Sequence, residues 1–195
     1  RLGTDYIDLY YAHEDDPDVP IAETLGAFGE LIAAGKVRHI AASNFTPQRL
    51  RESLEVAAAE GLPSYVATQD LYNLVDRSAY EDGLAQVVAD FGLGLFPYYS
   101  LARGFLTGKY QPGITVDSPR AKGVEQYLGP RGDAVLTALS EVAAAHGVRQ
   151  AAVALAWLLA KPGVVAPLAS ARTVDQLDDL QLTADEVAAL DAASA

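Results

Sequence analysis

Short apolar runs rich in Val, Ile and Tyr alternate along the chain with longer segments whose apolar residues recur at helical spacing. That alternation marks βαβ units and a parallel sheet. Strands are expected at Tyr6–Ala12, Val37–Ala42, Tyr65–Gln69, Leu93–Tyr98 and Val164–Leu168. The first four start about 28–31 residues apart, close to the length of one βαβ unit. Helices are expected between them at Ile21–Ala34, Pro47–Glu60 and Tyr80–Phe91, and later at Asp133–His146, Gln150–Ala160, Thr173–Leu180 and Thr183–Ala192. In the first helix Leu25, Phe28 and Ile32 share a stripe and Gly35 follows as a stop. In the second, Thr46 is placed to cap, Pro47 takes the first helical position and Gly61 ends the run. A long connection rich in Gly, Pro and charge runs from Ser100 to near Gly132. Loops of more than about 12–15 residues in a compact domain are usually functional or disordered. The stretch Asp178–Leu182 is short for a link between two helices.

Strands buried on both faces with helices outside fit either a doubly wound sheet or a (β/α)8 barrel. Polar residues arrive where the strands end: His13, Ser43-Asn44, Gln69 and Tyr98-Tyr99. In a barrel these positions ring the C-terminal rim, where active sites are built. Five strands cannot close an eight-stranded barrel, so the barrel reading implies three further strands. The absence of Met and the start at Arg1 lead to the expectation that these residues come from a longer chain.

The chain has 195 residues, with 14 Lys+Arg against 26 Asp+Glu, a net charge of −12. That balance argues against a nucleic-acid partner, because backbone-phosphate binding needs Lys and Arg to displace counterions. No apolar run reaches the ~18 residues of a membrane helix, so no membrane partner is expected. With zero Cys, disulfides, thiolate catalysis and zinc–thiolate clusters drop out. A cytoplasmic protein is expected. Gly92-Leu93-Gly94 precedes its strand and opens no helix, so it is not a dinucleotide fingerprint. Gly104 to Tyr110 is one residue short of a phosphate loop and has Tyr110 where Ser or Thr would hold magnesium. No Tyr is followed four residues later by Lys.

Of the three histidines, His39 sits inside a strand pattern and His146 near a helix C-terminus, and both read as structural. Three scattered His offer no metal site. His13, at a strand end, reads equally as a chemical residue or as a capped loop histidine. The acidic run Glu14-Asp15-Asp16, with Asp18, reads as a solvated loop. The alternative is a substrate mouth that disfavours anions.

Five ordered segments carry a family resemblance. The run Leu2-Gly3-Thr4-Asp5-Tyr6-Ile7-Asp8-Leu9-Tyr10-Tyr11-Ala12-His13 resembles the fourth strand of the aldo-keto reductases. Ala34 to Phe45 resembles their fifth strand, and Gln69-Asp70-Leu71-Tyr72-Asn73-Leu74 their sixth. Pro97-Tyr98-Tyr99-Ser100-Leu101-Ala102-Arg103-Gly104-Phe105-Leu106-Thr107-Gly108-Lys109-Tyr110 is similar to the seventh strand and its cofactor loop. Val164 to Pro167, with Ala171-Arg172-Thr173 and Gln176-Leu177, is similar to the eighth. The resemblance implies an α/β fold: a (β/α)8 TIM barrel, with residues 1–195 supplying about five of the eight βα units as the C-terminal portion of one barrel domain. It implies reduction of an aldehyde or ketone carbonyl by NADP(H) without a metal, on a small-molecule carbonyl substrate.

By the same resemblance, His13 orients the carbonyl. Ser43, Asn44 and Gln69 hold the cofactor carboxamide, and Tyr98 stacks on the nicotinamide. Tyr99, Ser100, Leu101, Gly104 and Lys109 form the loop around the pyrophosphate, with Arg120 reaching the phosphates. Ser170, Arg172 and Gln176 sit at the adenosine end, where an Arg favours a 2′-phosphate and hence NADP over NAD. Tyr99-Ser100 departs from the Ser-Pro common in the family. The family's proton-donating Tyr, with its Lys and Asp, lies on the first three strands. This chain alone is therefore expected to be inactive. A cofactor-binding regulatory subunit, like the barrel proteins of potassium channels, is the alternative the resemblance leaves open.

Overall fold

The computed structural model describes residues 2–110, 123–171, 173–176 and 178–195. The chain divides into two compact units: Arg1–Asp70 with Tyr80–Phe96, and Leu71–Ala79 with Pro97–Ala195.

The first unit is an alternating β/α segment. Strands β1 (Ile7–Ala12), β2 (Val37–Ser43), β3 (Tyr65–Gln69) and β4 (Gly94–Leu95) form a parallel sheet in sequential order. Between them run α1 (Ile21–Ala33), α2 (Pro47–Glu60), α3 (Ser78–Glu81) and α4 (Leu84–Phe91). Register decides which polar residues come together. Ala12 pairs with Ala42 and Ala42 with Thr68, and a shift between Ile40 and Ala41 sets Ser43 opposite Gln69. The next residues, His13, Ser43 and Gln69, therefore leave the sheet at the same end.

Helix α2 forms as its sequence signals predict. The Thr46 side chain accepts from the Arg49 amide, Pro47 takes N1, and Gly61 stops the helix. The apolar faces meet in a core with Leu25, Ile40, Leu50 and Leu95 fully enclosed, each contributing about 1.5–3 kcal/mol. Edge-to-face aromatic pairs run from Tyr10 to Phe28, from Phe28 to Tyr65 and from Phe45 to Tyr65.

Two expectations are corrected here. The helix expected at Tyr80–Phe91 is broken at Gly83, which has φ of +139° and whose absent Cβ would stand 3.0 Å from Pro47 Cγ. The strand expected at Leu93–Tyr98 shortens to Gly94–Leu95, followed by the Phe96 amide donating to Thr68 O at 2.9 Å and, beyond Pro97, by an isolated parallel bridge of Tyr98 to Leu71. Pro97, with no N–H, ends it.

In the second unit, α5 (Pro130–His146), α6 (Gln150–Leu159) and α7 (Ala184–Ala193) pack around buried Trp157, Leu139, Leu158 and Leu190. Helix α7 opens with a full capping box between Thr183 and Glu186. Its Asp191 accepts from Trp157 Nε1 at 2.9 Å and from Lys161 Nζ at 2.6 Å. His146 is structural as read, its ring paired with Glu186 at 2.6 Å.

The second unit brings two further corrections. Val164–Leu168 forms no strand: only Val164 carries a bridge, Pro167 has no N–H, and the Leu168 amide donates to Pro97 O at 2.8 Å. Four strands, not five, are thus found among the described residues. The helix expected at Thr173–Leu180 reduces to the 3-10 turn Val174–Gln176. Among the described residues no single helix is long and apolar enough to cross a membrane.

Candidate functional site

In the first unit, three strand ends are tied together by one side chain. Asn44 follows β2 in a left-handed conformation (φ +58°), which Asn tolerates better than most residues. Its Nδ2 donates to His13 O at 2.9 Å and to Ser43 Oγ at 3.1 Å. The Ser43 hydroxyl, fully buried, donates to Gln69 O at 2.8 Å. The Asn44 amide donates to Asp70 Oδ1 at 3.1 Å, and the Thr68 hydroxyl bonds the other oxygen of the same carboxylate. Burial pushes the Asp70 carboxyl up, against the pull of the Thr68 hydroxyl and the Asn44 N–H.

The four residues expected here are thus brought together, but their chemistry is divided. The Ser43 proton is spent inside the knot. The Gln69 amide and the His13 imidazole, by contrast, make no hydrogen bond among the described residues, and His13 is exposed. An amide that can both donate and accept, and an exposed imidazole at the same end of the sheet, suit a carboxamide and a carbonyl. The acidic run beyond His13 is more than solvated. Asp15 pairs with Arg49 at 2.9 Å, Arg49 also donates to Val19 O, and Asp16 accepts from the Asp18 amide. The loop that leaves His13 is therefore fastened to α2.

In the second unit, the segment from Tyr98 to Lys109 turns sharply. Tyr99, Ala102, Arg103 and Gly104 have φ of +50°, +46°, +58° and +98°. Tyr98 bridges to Leu71, and its ring meets that of Tyr99 edge-on at 5.4 Å. The buried Ser100 hydroxyl donates to Pro97 O at 2.9 Å. The amides of Ala102 and Gly104 close turns on Tyr99 O and Leu101 O. At Gly104 a Cβ would lie 3.4 Å from Lys109 Cε and 3.5 Å from its Nζ. The lysine thus lies across bare backbone, a cradle that a side chain would fill. A cation over exposed backbone fits a phosphate group.

Asn73 holds this loop. It is completely buried, its Oδ1 accepts from the amides of Val75 and Asp76, and its Nδ2 donates to Asp76 Oδ2 and to Tyr99 O at 3.0 Å. Sequence reading missed it. The signal available was a lone amide between apolar Tyr72 and Leu74.

Ser170 and Gln176 are exposed. Arg120 and Arg172 lie outside the described residues. No group of acidic or His side chains able to hold a metal ion occurs among the described residues. A cavity of about 320 Å³ lies at the start of α5, lined by Val75, Asp76, Tyr127 and Arg131 among others, and none of the expected site residues lines it.

The sequence matches the Aldo/keto reductase family over residues 1–195. It is 29% identical to L-glyceraldehyde 3-phosphate reductase of Escherichia coli, over 98% of this chain and 59% of that protein. It is 31% identical to a putative voltage-gated potassium channel subunit beta of Schizosaccharomyces pombe, over 91% of this chain and 54% of that protein. The chain thus spans little more than half the length of these relatives. In structure it is similar to a thermostable aldo-keto reductase crystallised with the inhibitor epalrestat. There the TM-score is 0.75 at 29% identity, covering 97% of this chain and 61% of the other. Strand order, the polar strand ends and the family match over every residue lead to one conclusion: the chain belongs to the aldo/keto reductase family.

Proposed function

We propose that this chain supplies the dinucleotide-holding part of an NADP(H)-dependent carbonyl reductase, which converts aldehydes or ketones to alcohols without a metal. The observation that carries the reading is the Asn44 knot. It consumes the polar groups of Ser43 while leaving the Gln69 amide and the His13 imidazole without a hydrogen-bond partner among the described residues, at the ends of the two strands that flank β2. When bound, the reduced nicotinamide supplies the hydride.

Each residue then has a task. The Gln69 amide holds the carboxamide, so that one ring face is presented. The Tyr98 ring offers an aromatic face for stacking. Tyr99, Ser100 and Leu101 shape the loop, and Gly104 with Lys109 receives phosphate. Ser170 and Gln176 serve the adenosine end together with Arg172, whose planar fork is the reason to expect NADP over NAD. Arg120 adds a further cation for the phosphates. The His13 imidazole N–H donates toward the carbonyl oxygen and polarises it. No Tyr of this chain takes the part of proton donor, so the chain alone binds cofactor without turnover.

The relative named as a potassium channel subunit favours a second reading, in which the bound dinucleotide regulates a partner. Titration of the chain with NADPH and NADH, read by nicotinamide fluorescence, tests the first step. Binding with preference for NADPH is expected, and its absence overturns both readings. Steady reduction of aromatic aldehydes by the chain alone would overturn the absence of a proton donor. The two readings part on a form as long as the curated relatives: NADPH consumption with aldehydes supports the reductase.

A further inference from the structure

Among the described residues Asp70 is the one acidic or basic side chain that is buried, with 4% of its surface exposed. More exposed carboxylates meet cations: Asp15 faces Arg49, and Asp191 faces Lys161 and Arg77. Asp70 does not. Its two oxygens accept from the Asn44 N–H and the Thr68 hydroxyl, both neutral, and no basic group among the described residues acts on it. The Tyr80 phenol, also buried, feels that charge. Burial first, then Asp70 and Glu81, push it up to about 12, so it stays neutral near pH 7 and offers no compensation.

A buried carboxylate without a cation costs stability, and the hydrogen bonds of the knot do not require one. Asp70→Asn would keep an oxygen for the Asn44 N–H and offer the Thr68 hydroxyl a donor. The negative charge is therefore surplus to the bonding, and what it adds is a field. Away from water that field is screened far less than it would be at the surface. Asp70 directly follows Gln69 and holds the Asn44 amide. Both of those residues stand at strand ends of the same unit as the carboxylate.

We propose that Asp70 is a specificity-determining residue whose buried negative charge makes this site favour the oxidised, cationic nicotinamide over the reduced, neutral one. The proposal rests on the function proposed above, in which Gln69 and Asn44 hold the carboxamide of that ring. A hydride takes an electron pair with it, so its departure leaves the ring with one positive charge. A fixed anion near the carboxamide holders favours that state without touching the ring. Departure of the hydride toward a carbonyl carbon is favoured in the same sense.

The test is calorimetric titration of the wild-type chain, Asp70→Asn and Asp70→Ser with NADP+, NADPH and 2′,5′-ADP, which lacks the nicotinamide. The ratio of NADP+ affinity to NADPH affinity is expected to fall on the order of 3- to 10-fold in both variants, the effect of one partly screened charge. Affinity for 2′,5′-ADP should not change. A structural role alone would move both nicotinamide forms together, so the ratio isolates the charge. Asp70→Ser keeps the test decisive if Asp70→Asn does not fold. An unchanged ratio in the variants overturns the proposal and leaves the dinucleotide reading standing. So does an equal loss for all three ligands, which would mark collapse of the strand ends. If the wild type binds neither NADP+ nor NADPH, the dinucleotide reading falls and this proposal falls with it.

Discussion

The two units hold the expected site residues by opposite means. At the strand ends of the first, position comes from register: Ala12, Ala42 and Thr68 lie side by side, and Asn44 then spends its amide on His13 O and Ser43 Oγ. Polar groups there are mostly satisfied internally, and the buried charge, Asp70, is wrapped by a hydroxyl and an N–H. In the second unit the residues lie on a loop with four left-handed positions between Tyr99 and Gly104. Order comes from outside the loop, from Asn73 on the Tyr99 carbonyl, while Arg103 and Lys109 sit against tyrosine rings and have no ion pair among the described residues. A neutral carboxamide can be met by one free amide on a rigid frame. A dianionic phosphate calls for open cations, and a loop can bring backbone and cations close to it.

If that contrast holds, the largest single loss should come from Asn73→Ala in the second unit. It removes four hydrogen bonds at a fully buried position. The buried Val75 amide and the half-buried Asp76 amide would lose their acceptor, at a cost of about 3 kcal/mol. Denaturant unfolding with hydrogen exchange resolved by segment should show protection lost in residues 97–109 and retained in β1–β3. Equal loss in both units would break the comparison. Asn44→Ala should cost less, about 1–2 kcal/mol, from two lost side-chain bonds and a left-handed alanine. Its loss should be confined to the strand ends, with weaker NADPH binding by nicotinamide fluorescence. Asn44→Gly restores the backbone preference but not the bonds, so a full rescue of binding by glycine would show that the knot does not matter.

How far the sequence foretold this obeys the same division. Strands β1 to β3 and helix α2 were legible because their signals are local: period, a Thr-Pro start, a Gly stop. His13, Ser43 and Gln69 were legible as polar residues where apolar strands end. The errors fall where long-range pairing decides. Leu93–Tyr98 has strand composition, yet Pro97 ends its ladder after two residues and one amide. Val164–Leu168 is apolar, yet its backbone makes one bond to Pro97 O, and no periodicity encodes that partner. Asn73 bonds Tyr99 at a separation of 26 residues, and the placing of Arg103 on Tyr99 depends on turns that propensity does not specify. The alternating β/α order was legible from spacing, whereas the devices that hold the loop were not.

The smallest expected effects, and the sharpest in sign, concern pH. Burial sets the Asp70 carboxyl above its ordinary value, outweighing the Thr68 hydroxyl and the Asn44 N–H. Its folded state therefore binds a proton more readily than the unfolded chain does. Between the unfolded pKa of about 4 and the higher folded value, stability from this group falls as pH rises. For Asp191 burial also pushes upward, but the Lys161 ammonium, the Trp157 N–H and Arg77 outweigh it and hold the carboxyl below its ordinary value. Its contribution is present above about pH 4 and is lost as pH falls through the folded pKa. Asp70→Asn should therefore raise stability at pH 7 and remove the falling arm. Asp191→Asn should lower stability at pH 7 and flatten the acid loss. Thermal unfolding from pH 3 to pH 7 gives both slopes, and the same sign for both variants would mean that the buried carboxylate of the strand-end knot is stabilised by its two donors as fully as the ion-paired one.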